Sequence, residues 1–542
     1  MTSRWGPIDR ARGIAGLAVV GIALGAAWWA WRSAQVEPLE PPAAPAADPA
    51  LDAGERLYRE GIAATGEPVA AVVLGDVPIG GDSARCASCH GRSGMGTGEG
   101  GNRTPPLAAP LLFAADARNT RPAYTDALVA RAVRDGVDSA GAPLDPLMPR
   151  FRLSDDDLDA LLRYLHHLGA KPAPGVDDDS LHLATVIAGD VDPALARDVR
   201  AVLEGYVETK NAELRNDRAR SRARRAPGEA PDPYRDWSLE VWTIDGPPDG
   251  WRAQLEARYA ARPVFAMIGG LAEGPWAPIA AFCESLELPC VLPETDRPGP
   301  PGGFYTLYYS GGLRLEAEVV AADLRSTAAP GPVIALVAEG DGAGAEAAAD
   351  LTAAVGAGGE VQVRAIPDGP DGDAVLAEVL DEEVRAVVAW LGDADLARLP
   401  AGAAGRGPLY LSATLAPDRG AALPPGLRDR ARLVDPYRDP SERDPGLDRF
   451  RAWASARGLA LGHERVQAQA WFACVAFLDG SKHVARYPQR DYLLDSLDHA
   501  AGLTALLPIV PRGTLGPGQR FLAKGARVVD LSGATAPRWI TP

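Results

Sequence analysis

The stretch SARCASCHGRSG, residues 83–94, sets Cys86, Cys89 and His90 in a C-x-x-C-H. The chain has only five cysteines and seven histidines in 542 residues, so three of them within five positions call for a chemical reason. Three chemistries use cysteines at this spacing. A thioredoxin-like redox pair needs a strand before it and a helix opening at the first cysteine. Here Gly80, Gly81, Asp82 and Ser83 precede the motif, and no βαβ pattern surrounds it. A structural zinc site needs four ligands, usually from two such pairs, and no second C-x-x-C exists. Covalent attachment of a c-type haem needs two thiols for the vinyl groups and an adjacent imidazole for the iron. Cys86, Cys89 and His90 supply these in that order, so one covalent haem c is expected.

A haem that transfers electrons needs a ligand on its other face, most often Met. Of the four methionines, Met1 is the start, Met267 lies in an expected core strand, and Met95 is too near His90 to reach around the macrocycle. Met148 sits in APLDPLMPRF, in a loop stiffened by Pro146 and Pro149 and set between two amphipathic helices. The first of these is YTDALVARAVR, residues 124–134. The second has Ser154 as N-cap, three aspartates in its first turn, and Leu158, Leu161, Leu162, Leu165 and Leu168 on one face. Met148 is therefore the expected distal ligand. His166 and His167 are the rival, but they fall in the last turn of that helix, a place that favours solvent-facing histidines.

With these pieces in place, residues 51–170 resemble a class I cytochrome c domain. The matching parts are Gly54 and Leu57-Tyr58 in the first helix, C-x-x-C-H-G at 86–91, Met148-Pro149, and the helix after Ser154. The resemblance implies an all-α haem-wrapping fold and single-electron transfer with redox partner proteins, such as a periplasmic dehydrogenase or another cytochrome. Residues 61–85, between first helix and haem motif, are longer than the family usually has, and read as a loop beside one haem edge.

Upstream, residues 13–31 (GIAGLAVVGIALGAAWWAW) carry no charge and as a helix would reach about 28 Å, enough for a bilayer core of roughly 30 Å. Arginines precede the span and tryptophans end it. This predicts a cytoplasmic N-terminus at 1–12, a single-pass inner-membrane anchor at 13–31, and the bulk of the chain in a bacterial periplasm. The alternative is a cleaved signal peptide, which also exports the body. Residues 32–50 are Pro/Ala-rich and read as a tether. The net charge of −17 argues against a nucleic-acid partner.

After a second expected linker, 171–180, the pattern changes. Short apolar strands at 183–188, 264–268, 333–337, 386–390 and 409–411 alternate with helical stretches, which predicts α/β architecture with parallel sheets, in two lobes. The basic run at 215–225 reads as a solvated loop. The expected fold class is thus multidomain: membrane helix, all-α haem domain, then a two-lobed α/β domain at 181–542.

The order of segments in 181–542, from LATVIAGD through VFAMIGGLAEGPWAPIAAF and CVLPETD to VIALVAEGDGAGAEAAADLTAAV, resembles a type I periplasmic binding protein of the branched-chain amino acid receptor kind. That implies lobes that clamp a small molecule by hinge motion. Independently of the resemblance, ligands of open α/β sheets sit beyond the carboxyl ends of strands. This makes Gly270, Leu271, Ala272, Glu273 and Thr295 the candidate ligand contacts, with backbone N–H groups suited to an anion. A domain that only docks a dehydrogenase, or a scaffold without ligand, would have the same pattern. Cys283 and Cys290 form either a disulfide or two buried thiols. No hydrolase, zincin, phosphate-loop or dinucleotide fingerprint occurs, so the reading is an electron carrier rather than a catalyst.

Overall fold

The computed structural model describes residues 48–99, 102–114, 121–224, 234–326, 331–356, 359–381, 383–401, 407–439, 442–500, 509–511, 513–516 and 518–542. The chain divides into Met1–Pro49 and Ala50–Pro542. The expected span at 13–31 and nearly all of the 32–50 tether lie outside the described residues. Among the described residues no helix is long and apolar enough to cross a membrane.

The haem-motif domain opens with α1 (Pro49–Glu60), two residues earlier than expected. It continues through β1 (Ala70–Val73), β2 (Val77–Gly80), the short α2 (Ala87–His90), α3 (Asp126–Asp135), β3 (Arg150–Arg152) and α4 (Asp155–His167). Local signals explain the helix ends. Thr125 accepts from Leu128 N–H to start α3, and Gly136, at φ 69°, ends it. Ser154 accepts from Asp157 N–H to start α4, whose first turn carries three aspartates. Leu158, Leu161, Leu162, Leu165 and Leu168 are all buried, each contributing about 2 kcal/mol of apolar burial. Helices α1 and α4 meet at Gly54, where a Cβ would stand 2.1 Å from the Ala160 carbonyl oxygen, so only glycine permits this crossing.

The all-α expectation is corrected by a three-stranded antiparallel sheet, β2-β1-β3. The long 61–85 stretch is no plain loop. Its Val-rich halves pair from Ala70↔Gly80 to Val73↔Val77 across a turn with Gly75 at φ 95°, and β1 then pairs with β3. Residues 171–179 are likewise not a free linker. Ala173 N–H bonds Pro488 O at 3.1 Å, and Gly175 lies so close to Val264 and Phe265 that a Cβ would clash with their backbone.

The first lobe runs through β4 (Ser180–Ala188), α5 (Pro193–Arg224), β5 (Asp236–Ile244), α6 (Trp251–Ala261), β6 (Ala266–Ile268), β7 (Leu271–Ala272), α7 (Ala277–Ser285), β8 (Cys290–Val291) and β9 (Thr306–Leu307). Its parallel sheet has the order β9-β8-β6-β4-β5, with β7 on β4. Helix α5 extends to Arg224, so most of the basic run is helical rather than a loop. The second lobe holds α8 (Gly312–Arg325), β10 (Val333–Ala338), α9 (Gly342–Val355), β11 (Val361–Ile366), α10 (Pro370–Asp381), β12 (Ala386–Trp390), β13 (Leu409–Ser412) and β14 (Ala431–Asp435). The chain returns to the first lobe with α11 (Pro445–Ala456), α12 (Glu464–Val484) and α13 (Arg490–Asp498), and ends in the second with β15 (Ala526–Asp530) and β16 (Arg538–Ile540). The second sheet runs β11-β10-β12-β13-β14-β15-β16, its last two strands antiparallel. The lobes are thus joined by three crossings, and one core of buried side chains runs from Leu181 and Phe265 to Val434 and Val528.

Candidate functional site

Helix α2 is a single turn that carries Cys89 and His90, with Cys86 at its N-cap. Cys86 is half-buried, Cys89 exposed, and both thiols are unpaired. Burial pushes the Cys86 thiol up to about 12. His90 is buried, and its Nδ1 lies 2.9 Å from the Pro105 carbonyl oxygen. That bond fixes the tautomer with the proton on Nδ1 and leaves Nε2 as a lone-pair donor, without a partner among the described residues. Burial holds the imidazole below its ordinary range, so it is neutral, as a metal ligand must be. Gly91 follows at φ 75°, and its carbonyl accepts from the buried Tyr58 hydroxyl at 2.8 Å.

Met148 is half-buried and packs on the same apolar cluster as Cys86 and Ala87. Its loop is built by the hairpin. Leu74 N–H donates to Pro146 O at 2.9 Å, and β3, starting two residues after Met148, pairs with β1. Arg150 donates to Leu144 O at 3.1 Å and to Met148 O. The rival histidines go elsewhere: His166 pairs with Asp126 at 2.8 Å and stacks on Phe113, and His167 is exposed. The donor set of two unpaired thiols, one oriented neutral imidazole and one thioether on the same cluster fits a covalently attached haem. Pro105 and the Arg150 bonds were not found from sequence, because neither residue is part of a spaced motif.

The domain is docked on the α/β body through charged side chains. The Arg59 guanidinium meets Glu55 at 2.5 Å, Glu287 at 2.5 Å and Asp491 at 2.8 Å. Arg92 stacks over Phe304, 4.4 Å from the ring centre, and faces Asp491 at 3.5 Å. Asp491 also accepts from the Tyr305 hydroxyl at 2.8 Å. Burial pushes its carboxyl up, against the pull of Arg59 and Arg92. A cavity of about 430 Å³ opens along this seam, lined by Glu55, Arg59, Ser93, Lys171, Glu287 and Asp491 among others.

The expected ligand contacts are placed as follows. Leu271 and Ala272 form β7, and Glu273 N–H donates to Ala188 O at 2.9 Å, so that N–H is spent in the sheet. Gly270, at φ 120°, is packed under Trp276. Thr295 Oγ1 accepts from Arg297 N–H at 3.2 Å within its own loop. Between the lobes the polar groups are others. Arg465 donates to Glu294 at 2.6 Å and lies over the Tyr437 ring, while the neighbouring Asp296 is half-buried and its carboxyl is pushed up to about 6 by desolvation. Arg297 of the first lobe bonds Glu346 of the second at 2.6 Å. Cys283 and Cys290 are both buried free thiols rather than a disulfide, and Cys283 Sγ points to Met267 Sδ at 3.6 Å.

Residues 83–169 match the family model for cytochrome c. No curated protein matches the chain. Among solved structures, a leucine-binding protein from Thermotoga maritima is similar at 13% identity and TM-score 0.45, over 66% of this chain and 97% of that one. A branched-chain amino acid ABC transporter protein from Thermus thermophilus with bound valine is similar at 12% identity and TM-score 0.46, over 66% and 97%. A fatty acid ABC transporter substrate-binding protein from Thermomonospora curvata is similar at 15% identity and TM-score 0.44, over 68% and 94%.

Proposed function

We propose that this chain is a periplasmic electron carrier with one covalently bound haem, held at the bacterial inner membrane by its N-terminal segment. The two-lobed domain serves as the docking or ligand-binding body that brings the haem to an electron donor, such as a dehydrogenase or another cytochrome. The observation that carries this reading is the pair of unpaired thiols followed by a buried imidazole whose Nδ1 is committed to Pro105. Cys86 and Cys89 would hold the group, His90 Nε2 would take one face of the iron, and Met148 Sδ the other. When bound, haem supplies a one-electron ferric–ferrous couple. The protein contributes an oriented neutral ligand, an apolar surround, and a rigid mount.

A second reading is a solute receptor or sensor with an accessory haem. Its support is the inter-lobe cluster of Arg465, Glu294 and Asp296 and the Arg297–Glu346 pair that bridges the lobes. Mass spectrometry of the chain expressed with haem-maturation machinery tests both. A haem mass that survives denaturation is expected, and its absence overturns the electron-carrier reading. A further small mass seen only under native conditions would favour the receptor reading.

A further inference from the structure

We propose that the α/β domain is part of the haem site: Asp495, on α13, is a positioning residue that holds the turn after the proximal histidine and lowers the reduction potential of the bound haem. This rests on the covalent-haem reading above. The Asp495 carboxylate accepts from Ser93 N–H at 2.9 Å and from Arg92 N–H at 3.3 Å. These residues stand two and three positions after His90. The same carboxylate lies 2.7 Å from where a Gly91 Cβ would be, so a glycine at this point of the motif lets the two domains touch. From the other side, Tyr58 on α1 holds the Gly91 carbonyl. The turn is therefore gripped by both domains at once.

Helix α13 is built for this. Leu493, Leu494 and Leu497 are buried in the α/β core. Asp491 and Asp495, one helical turn apart, share the face toward the haem domain. Asp491 takes the side chains of Arg59 and Arg92, and Asp495 takes the backbone. Bonds from backbone N–H groups to an ionised carboxylate are stronger than neutral ones. A negative charge in a partly buried seam is also poorly screened, so it opposes the added electron of the ferrous state.

The test uses the full-length haem-loaded chain, with Asp495→Asn, Asp495→Ala and, as a charge-matched control in the second lobe, the exposed Asp371→Asn. Redox titration is the readout. Asp495→Asn keeps the shape and one acceptor oxygen but loses the charge. It is expected to shift the ferric–ferrous ratio at least about threefold toward ferrous, roughly 28 mV for a one-electron couple. Asp495→Ala is expected to shift at least as far and to speed amide exchange at Arg92 and Ser93. Asp371→Asn is expected to leave the potential unchanged. If Asp495→Asn and Asp371→Asn have the same potential as the parent, the proposal is overturned. If the parent holds no covalent haem, the underlying reading falls instead. Should Asp495→Ala fail to fold, the near-isosteric Asn variant still decides.

Discussion

Glu316 illustrates how much one buried group can set. It is wholly buried on α8 and accepts at Oε1 from Thr414 N–H at 3.2 Å and Thr414 Oγ1 at 2.7 Å. Burial pushes its carboxyl from the ordinary 4.5 up to about 8, so it is a neutral acid at physiological pH. The sign follows from proton counting. Below about pH 4.5 folded and unfolded chains both hold the proton. Between there and pH 8 the unfolded chain has lost it while the folded chain keeps it, so stability falls as pH rises. Glu316→Gln removes the titration. Its unfolding free energy, from denaturant melts, should match the parent near pH 5 and exceed it at pH 8.5, by more than the roughly 1.4 kcal/mol that one pKa unit represents. A constant difference across that range would show that Glu316 does not titrate there. At this same scale the motif of two thiols and an imidazole was legible from sequence, since Cys86, Cys89 and His90 are fixed by local spacing. Pro105 and Asp495 were not. Both act through contacts made only after folding, the first with a backbone carbonyl that leaves no mark on residue type, the second from some four hundred positions away.

Among elements, the β1–β2 hairpin is the part that sequence reading missed and the site depends on. Helix α4 was readable because its cap, its acidic first turn and its leucine face all repeat one message. The hairpin strands are only four residues each, and their partner β3 lies some seventy residues away, so no local period announces the sheet. Its consequence is specific to Met148. The loop that carries Met148 is pinned to the hairpin by Leu74 and braced by the two carbonyls that Arg150 holds. Arg150→Ala removes that brace but leaves α2 and His90 untouched. With Met148 in its proposed place on the iron, two hydrogen bonds at about 0.5–1.5 kcal/mol each suggest that an exogenous imidazole should displace it from ferric haem about tenfold more easily in the variant. An imidazole titration followed by the haem spectrum measures this. Unchanged affinity would mean that β3 alone holds the loop, or that Met148 is not a ligand.

For the whole molecule, the question is whether the haem domain is a tethered shuttle or a fixed port. From sequence, KPAPGVDDDS reads as a linker by its composition. Composition cannot reveal that Gly175 is wedged against Val264 and Phe265, or that Arg490 donates to the carbonyls of Pro174, Val264 and Phe265. It also cannot reveal that Arg59 meets three carboxylates, two of them from the other domain. Arg59 and Asp491 are only 10% and 12% exposed, so their pairing is hardly screened. The two domains should therefore unfold together. In the parent, the loss of haem-site absorbance and the loss of far-ultraviolet dichroism should coincide on heating, with calorimetric and van't Hoff enthalpies in agreement. Arg59→Ala leaves Asp491 and Glu287 with Arg92 alone as their cation, at 3.5 and 3.6 Å, and should cost up to about 3 kcal/mol. The seam should then open first, and the two signals should separate, the haem domain melting on its own. Signals already separate in the parent would instead make the haem domain an independent unit, and its electron partner would then be reached by motion of that domain rather than by docking on the assembled surface.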